Sequence, residues 1–91
     1  MGVFEVRESF YLGTHDLLVL TGRIVEDPVR PGMTLFLPRT EAGEGRVPIA
    51  GLQVVEFATG PQLALTITME AFDRVPGLDF ADLHGQTLQV R

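Results

Sequence analysis

The sequence predicts an all-β fold: a small closed antiparallel β-barrel of about six strands, with one short helical turn near Asp79 and His84. Three observations lead there. Six apolar stretches of strand length are separated by turns rich in Gly and Pro. Single glycines interrupt two of those stretches, as the corners of a small barrel require. No amphipathic helix longer than about two turns can be drawn, which favours a barrel built from strands alone. At 91 residues the chain reads as one domain over positions 1–91.

Residues 3–10 alternate, with Phe4, Val6, Glu8 and Phe10 of one parity and Glu5, Arg7 and Ser9 of the other. A period of two belongs to a half-buried strand, in which Glu8 is the one discordant member of the inner row. Gly13, Thr14, His15 and Asp16 supply turn chemistry. A second strand covers residues 17–25 and is interrupted by Gly22; an isolated Gly in a strand marks a bulge, a bend or a close backbone approach. Pro28 pushes Asp27 toward extended geometry. Pro31 and Gly32 fit a type II turn, Pro presetting φ at the first central position and Gly accepting positive φ at the second. The third strand, residues 33–37, stops at Pro38.

Residues 39–46 are polar and without periodicity, and read as an exposed loop. Residues 47–57 carry Val47, Ile49, Leu52, Val54, Val55 and Phe57, with a change of parity around Gly51 that predicts a bulge in a fourth strand. Residues 62–71 alternate cleanly: Leu63, Leu65, Ile67 and Met69 face a core, and Gln62, Ala64, Thr66, Thr68 and Glu70 face away. Over residues 72–84 the alternation stops. Asp79 is placed to cap a helical turn, Phe80 and Leu83 share a side of it, and Gly85 ends it. This predicts a lid that plugs one barrel mouth with Phe80 and Leu83, before a last strand at residues 86–90.

Composition narrows the function. With no cysteine, neither a disulfide framework nor a thiolate nucleophile or metal site is available. The N-terminal stretch is broken by Glu5, Arg7 and Glu8 and lacks the basic-then-apolar order of a signal peptide. The longest wholly apolar run is residues 17–20, against the about 20 residues a spanning helix needs. A cytoplasmic location without membrane contact is expected. Hydrophobic residues make up 45% of the chain, so either the core is well filled or apolar surface meets a partner. The net charge is −5, from 12 acids and 7 bases, every base an Arg. Affinity for nucleic acid comes from clustered bases that neutralise phosphates, and these arginines are scattered singly along the sequence. DNA is not expected as a partner, and RNA is disfavoured unless strands distant in sequence gather the arginines into a patch.

Catalysis asks for a nucleophile, an acid–base pair or a metal. His15 and His84 are far apart in sequence and fall in expected loops, where a solvated ring is the ordinary outcome. Asp79, Asp82 and His84 are of metal-ligand type but match no zinc or calcium spacing, and capping by Asp79 accounts for the group more simply. A phosphate loop of the Walker type needs a Lys that the chain lacks. No catalytic residue, cofactor or metal is expected. Arg23, Arg30, Arg39 and Arg46 flank the hairpin turn and the polar loop, and together can make one basic interaction rim. Glu26, Asp27, Glu41 and Glu44 match them one for one, which is also the balance of a solvated surface.

Residues 17–38, with Thr21, Gly22, Arg23, Ile24 and Val25 in one strand and Gly32 opening the next, carry a resemblance. The stretch resembles the second-domain β-barrel of elongation factor Tu and related translation GTPases, where a Thr-Gly-Arg-Val strand, a turn and a strand-opening Gly recur. The resemblance implies that barrel, here as a stand-alone domain, with Thr21, Gly22, Arg23 and Gly32 as structural residues. Pro31 joins them on turn chemistry. It implies no nucleotide chemistry, which in the family belongs to a separate domain, and it brings in ribosomal or transfer RNA as the family's kind of partner. Asp27 and Pro28 stand where the family has a Gly, and the Gly-rich turn before the second strand is reduced to Gly13. Both departures fall in loops, where partners are met.

A non-catalytic binding module is therefore expected, docking onto another protein or onto a copy of itself. The alternative is a translation-related module that touches ribosomal or transfer RNA. A small-molecule pocket beneath Phe80 and Leu83 is a third reading.

Overall fold

A computed structural model describes residues 2–38, 45–75, 77 and 80–91, and of Phe80 and Ala81 the backbone alone. The described chain is mostly β. In order it forms β1 (Gly2–Leu12), β2 (Leu17–Glu26), β3 (Thr34–Phe36), β4 (Arg46–Pro48), β5 (Gly51–Phe57), β6 (Gly60–Thr68), a helix α1 (Met69–Asp73), a 3₁₀ turn (Phe80–Leu83) and β7 (Thr87–Val90). The strands make one 7-stranded sheet, ordered β4-β3-β7-β1-β2-β6-β5, with every pairing antiparallel.

The ladder is open, not closed as the sequence led us to expect: β4 and β5 are its edges and do not pair with each other. It is nevertheless strongly curled. Leu35 of β3 and Leu65 of β6 belong to one buried cluster although three strands lie between them. On a flat sheet, four steps of strand spacing would hold them about 19 Å apart. The curl wraps Phe4, Val6, Leu18, Leu20, Val47, Ile67 and Val90 around a common interior, and Leu83 of the 3₁₀ turn and Phe72 of α1 are buried against it.

Three further readings of the sequence change. The stretch expected as one strand over residues 47–57 is two, because Pro48 ends the pairing with β3 and the chain then crosses to the far edge. Ile49 N donates to Met33 O at 2.8 Å, and Ala50 N donates to Thr66 O at 2.8 Å. Two consecutive residues, Ala50 and Gly51, thus face Thr66, the count of a bulge, at the place where the parity shift predicts one. The strand expected over residues 62–71 ends at Thr68, whose hydroxyl accepts from Ala71 N at 3.2 Å and caps α1. Strand alternation could not reveal this, since Met69 and Phe72 also suit one side of a helix. The first strand carries a register shift between Val6 and Glu8. The extra residue turns Glu8 outward and Ser9 inward, and it also puts Phe10, expected in the inner row, on the outside at 41% exposed. The helical turn near His84 is present as the 3₁₀ segment; Asp79, its expected cap, lies outside the described residues, as does the side chain of Phe80.

The turns follow their residues. Met33 N bonds to Arg30 O and Gly32 has φ +89°, the geometry of a type II turn centred on Pro31 and Gly32. Asp16 takes φ +52°, which Asp tolerates better than most side chains. The Asp27–Pro28 bond is cis, and no residue from 26 to 30 has positive φ.

Candidate functional site

The motif residues Thr21, Gly22 and Arg23 lie at the β1 bulge. A Cβ at Gly22 would overlap the Glu5 carbonyl oxygen and stand 3.2 Å from Arg7 N, so the glycine is there for close backbone approach between β1 and β2. Thr21 is buried and its Oγ1 reaches Glu8 O at 3.4 Å, while Arg23 Nε donates to Glu5 Oε1 at 3.0 Å across the same strand pair. Both members of that ion pair are substantially exposed, so it orients side chains more than it stabilises the fold.

A cleft of about 570 Å³ opens over this bulge, lined by Glu5, Arg7, Gly22, Arg23, Gln62 and Gly85 among others. A smaller hollow of about 280 Å³ lies on the other side of Arg7 and Gln62, against Phe57. The larger cleft presents charged groups from Glu5, Arg7 and Arg23 and one amide, Gln62. Its arrangement suits binding.

Of the four arginines expected to share a rim, Arg23 on β2 is held by Glu5 of β1, and Arg30 opens the turn before β3. Arg46 sits on the β4 edge, with three strands between it and β2 in the ladder, and Arg39 lies outside the described residues. The structure gathers a different pair. The guanidinium carbons of Arg46 and Arg91 lie over the Phe36 ring, 5.4 Å and 5.1 Å from its centroid. Arg46 is opposite Phe36 on β4, and Arg91 exchanges backbone bonds with Thr34 at the end of β7, diagonal to Phe36. Such stacking fixes the guanidinium planes without occupying their N–H groups. The signal in the sequence was alternation: Leu35, Val47 and Val90 are buried, which turns Phe36, Arg46 and Arg91 to the outer face.

A third feature is the open edge of β5. Glu56 is opposite Pro61, which has no N–H, so this is a pair without mutual hydrogen bonds. By alternation the N–H and C=O groups of Leu52, Val54 and Glu56 point away from β6. Among the described residues β5 pairs with β6 alone. Val54 is 65% exposed. The opposite edge is guarded: β4 has three residues and ends in Pro48.

The histidines remain apart. His84 is not simply solvated, for its Nε2 accepts from Ser9 N at 3.1 Å and so ties the 3₁₀ turn to β1. His15 is exposed in the β1–β2 turn, with its backbone N–H bonded to Leu12 O. The Tyr11 hydroxyl donates to Asp16 Oδ1 at 3.1 Å, and this hydrogen bond to a carboxylate pushes the Tyr11 pKa up. Among the described residues no group of three His, Asp or Glu is placed to hold a metal ion, and no helix is long and apolar enough to cross a membrane. No family model, no curated protein and no solved structure matches this chain.

Proposed function

We propose that this chain is a non-catalytic binding module, a small β-barrel that associates with a second copy of itself by pairing along β5. The barrel reading is supported by the curl of the sheet and by the course of residues 46–57, which run from one edge of the ladder to the other without a break. The observation that carries the function is the β5 edge: seven residues, no Pro or Lys, one charge, and an outward Val54. Natural sheets blunt such edges with charge, proline or cover, and an edge left open is a template for another strand.

The β5 sequence suits its own copy. Antiparallel pairing about a two-fold axis at Val54 sets Val54 beside Val54 and Leu52 beside Glu56, so no like charges meet. Light scattering on eluting protein across a concentration series tests this. A dimer at high concentration that dissociates on dilution is expected, with Val54→Lys monomeric throughout and unchanged in its circular dichroism. A wild-type chain that stays monomeric at every concentration overturns the reading.

A further inference from the structure

We propose that the outer face around Phe36, Arg46 and Arg91 is a second docking site, separate from the β5 edge, for an extended acidic peptide segment. The chain as a whole is strongly acidic, yet this face is not. The outward residues of β3, β4 and β7 are Thr34, Phe36, Arg46, Pro48, Thr87 and Gln89, followed by Arg91: two positively charged side chains and no acidic one. Arg23 and Arg74 are neutralised by Glu5 and Glu70 at 3.0 Å and 2.9 Å. Neither Arg46 nor Arg91 makes an ion pair among the described residues; both spend their contacts on one aromatic ring. A guanidinium stacked in this way keeps its fork of N–H donors for a carboxylate and has already lost the side-chain freedom that binding would remove.

The spacing suits a strand. Both guanidinium carbons lie within 5.4 Å of one centroid, so they are no farther apart than twice that distance. Carboxylates on alternate residues of an extended chain project from one face about 7 Å apart, within that limit.

The ground beside the arginines is of the kind that receives a peptide. β3 and β7 share a single bridge, Leu35 with Val90, beside the mutual backbone bonds of Thr34 and Arg91, whereas the pairing of β3 with β4 goes on to Leu37 N and Gly45 O. Among the described residues β7 runs back to Thr87 with β1 alone as its partner. The strands thus part and leave a cleft of about 270 Å³, in which Phe36, Leu37 and Pro38 face Gln86, Thr87 and Gln89. Pro38 has no N–H to offer across the gap, so an entering chain meets an apolar wall on one side and, on the other, a strand that is unpaired there among the described residues and carries amide side chains. Recognition of an added strand by main-chain bonds, with side chains fixing specificity, uses this combination. A nucleic acid would have little use for the strand edge, and its continuous charge would run on over the acidic remainder of the surface.

Two probes decide the matter: an end-capped pentapeptide alternating Glu and Val, and a single-stranded oligothymidylate. Each is titrated into isotope-labelled protein at low ionic strength while amide resonances are followed. The Glu-Val peptide is expected to shift Phe36, Thr87, Gln89 and Arg91, and to weaken as salt is added. The double substitution Arg46→Gln with Arg91→Gln, on exposed side chains, is expected to weaken it by about tenfold or more, with the melting temperature unchanged. Val54→Lys is expected to bind the peptide as the wild type does, which separates this site from the β5 edge. Absence of shifts on this face, equal affinity in the double variant, or tighter binding of the oligothymidylate overturns the proposal.

Discussion

Gly22 and Glu5 meet backbone to backbone, with no room for a Cβ between them. The β1 bulge is built around this approach, and the obstacle to a side chain is main chain, which cannot swing aside. Gly22→Ala is therefore expected to cost about 2–3 kcal/mol, at the upper end of overpacking, read as a lower urea midpoint with an unchanged slope.

Gly32 is a glycine for a different reason. A Cβ there would meet nothing within 4 Å, but φ is +89°. Gly32→Ala is expected to cost about 1–2 kcal/mol through backbone strain alone. Gly32→Asn should cost less, since Asn also occupies this turn position. Gly22→Asn, in contrast, should be no milder than Gly22→Ala. Thermal unfolding of the four variants distinguishes the two causes.

Thr68 ends β6 and caps α1, and Met69 N at the start of the helix bonds to Asp16 O in the β1–β2 turn at 3.0 Å. Thr68→Ala removes the cap and is expected to cost about 1 kcal/mol, lowering the melting temperature by about 4–8 °C for a domain of this size. Thr68→Ser should restore most of it, because the hydroxyl is what Ala71 N bonds to.

Tyr11 is the only tyrosine in the chain, so its ionisation can be followed by ultraviolet absorbance without overlap. The hydrogen bond to Asp16 raises its pKa above 10.0 in the folded state. A group whose folded pKa is raised lends its stabilisation below the unfolded value and loses it as pH climbs through the folded one. The Tyr11–Asp16 bond should thus be intact through neutral pH and lost only in alkali above the ordinary tyrosine range. Asp16→Asn keeps a residue that tolerates positive φ and removes the charge; its Tyr11 midpoint should move back toward 10.0. A midpoint that does not move would show that the hydrogen bond is not the cause.

Much of this fold was legible because its signals are local. The type II turn at Pro31 and Gly32, the bulge near Gly51 and the 3₁₀ turn ending beside His84 each follow from backbone preferences of a few neighbouring residues. The register shift at Arg7 was less so. Only Glu8, an acid on an apolar row, hinted that the alternation of β1 slips there. α1 was hidden, since Met69 and Ala71 continue a strand's alternation as readily as they begin a helix, and the choice falls to the cap at Thr68 and the bond from Met69 to Asp16.

The sequence by itself determined that the chain is built from strands, that Phe4, Val6, Leu65 and Ile67 point inward, and that glycines stand at Gly22 and Gly32, because burial alternates with period two where no bulge intervenes and steric demands act on single residues. Only the tertiary structure decided which arginines meet. Arg23 and Arg46, joined in the sequence reading as one rim, belong to strands separated by three others, whereas Arg46 and Arg91 converge on Phe36 because β3 lies between β4 and β7. Strand order is a property of long-range pairing, and pairing is set by the shared core that the curled sheet encloses.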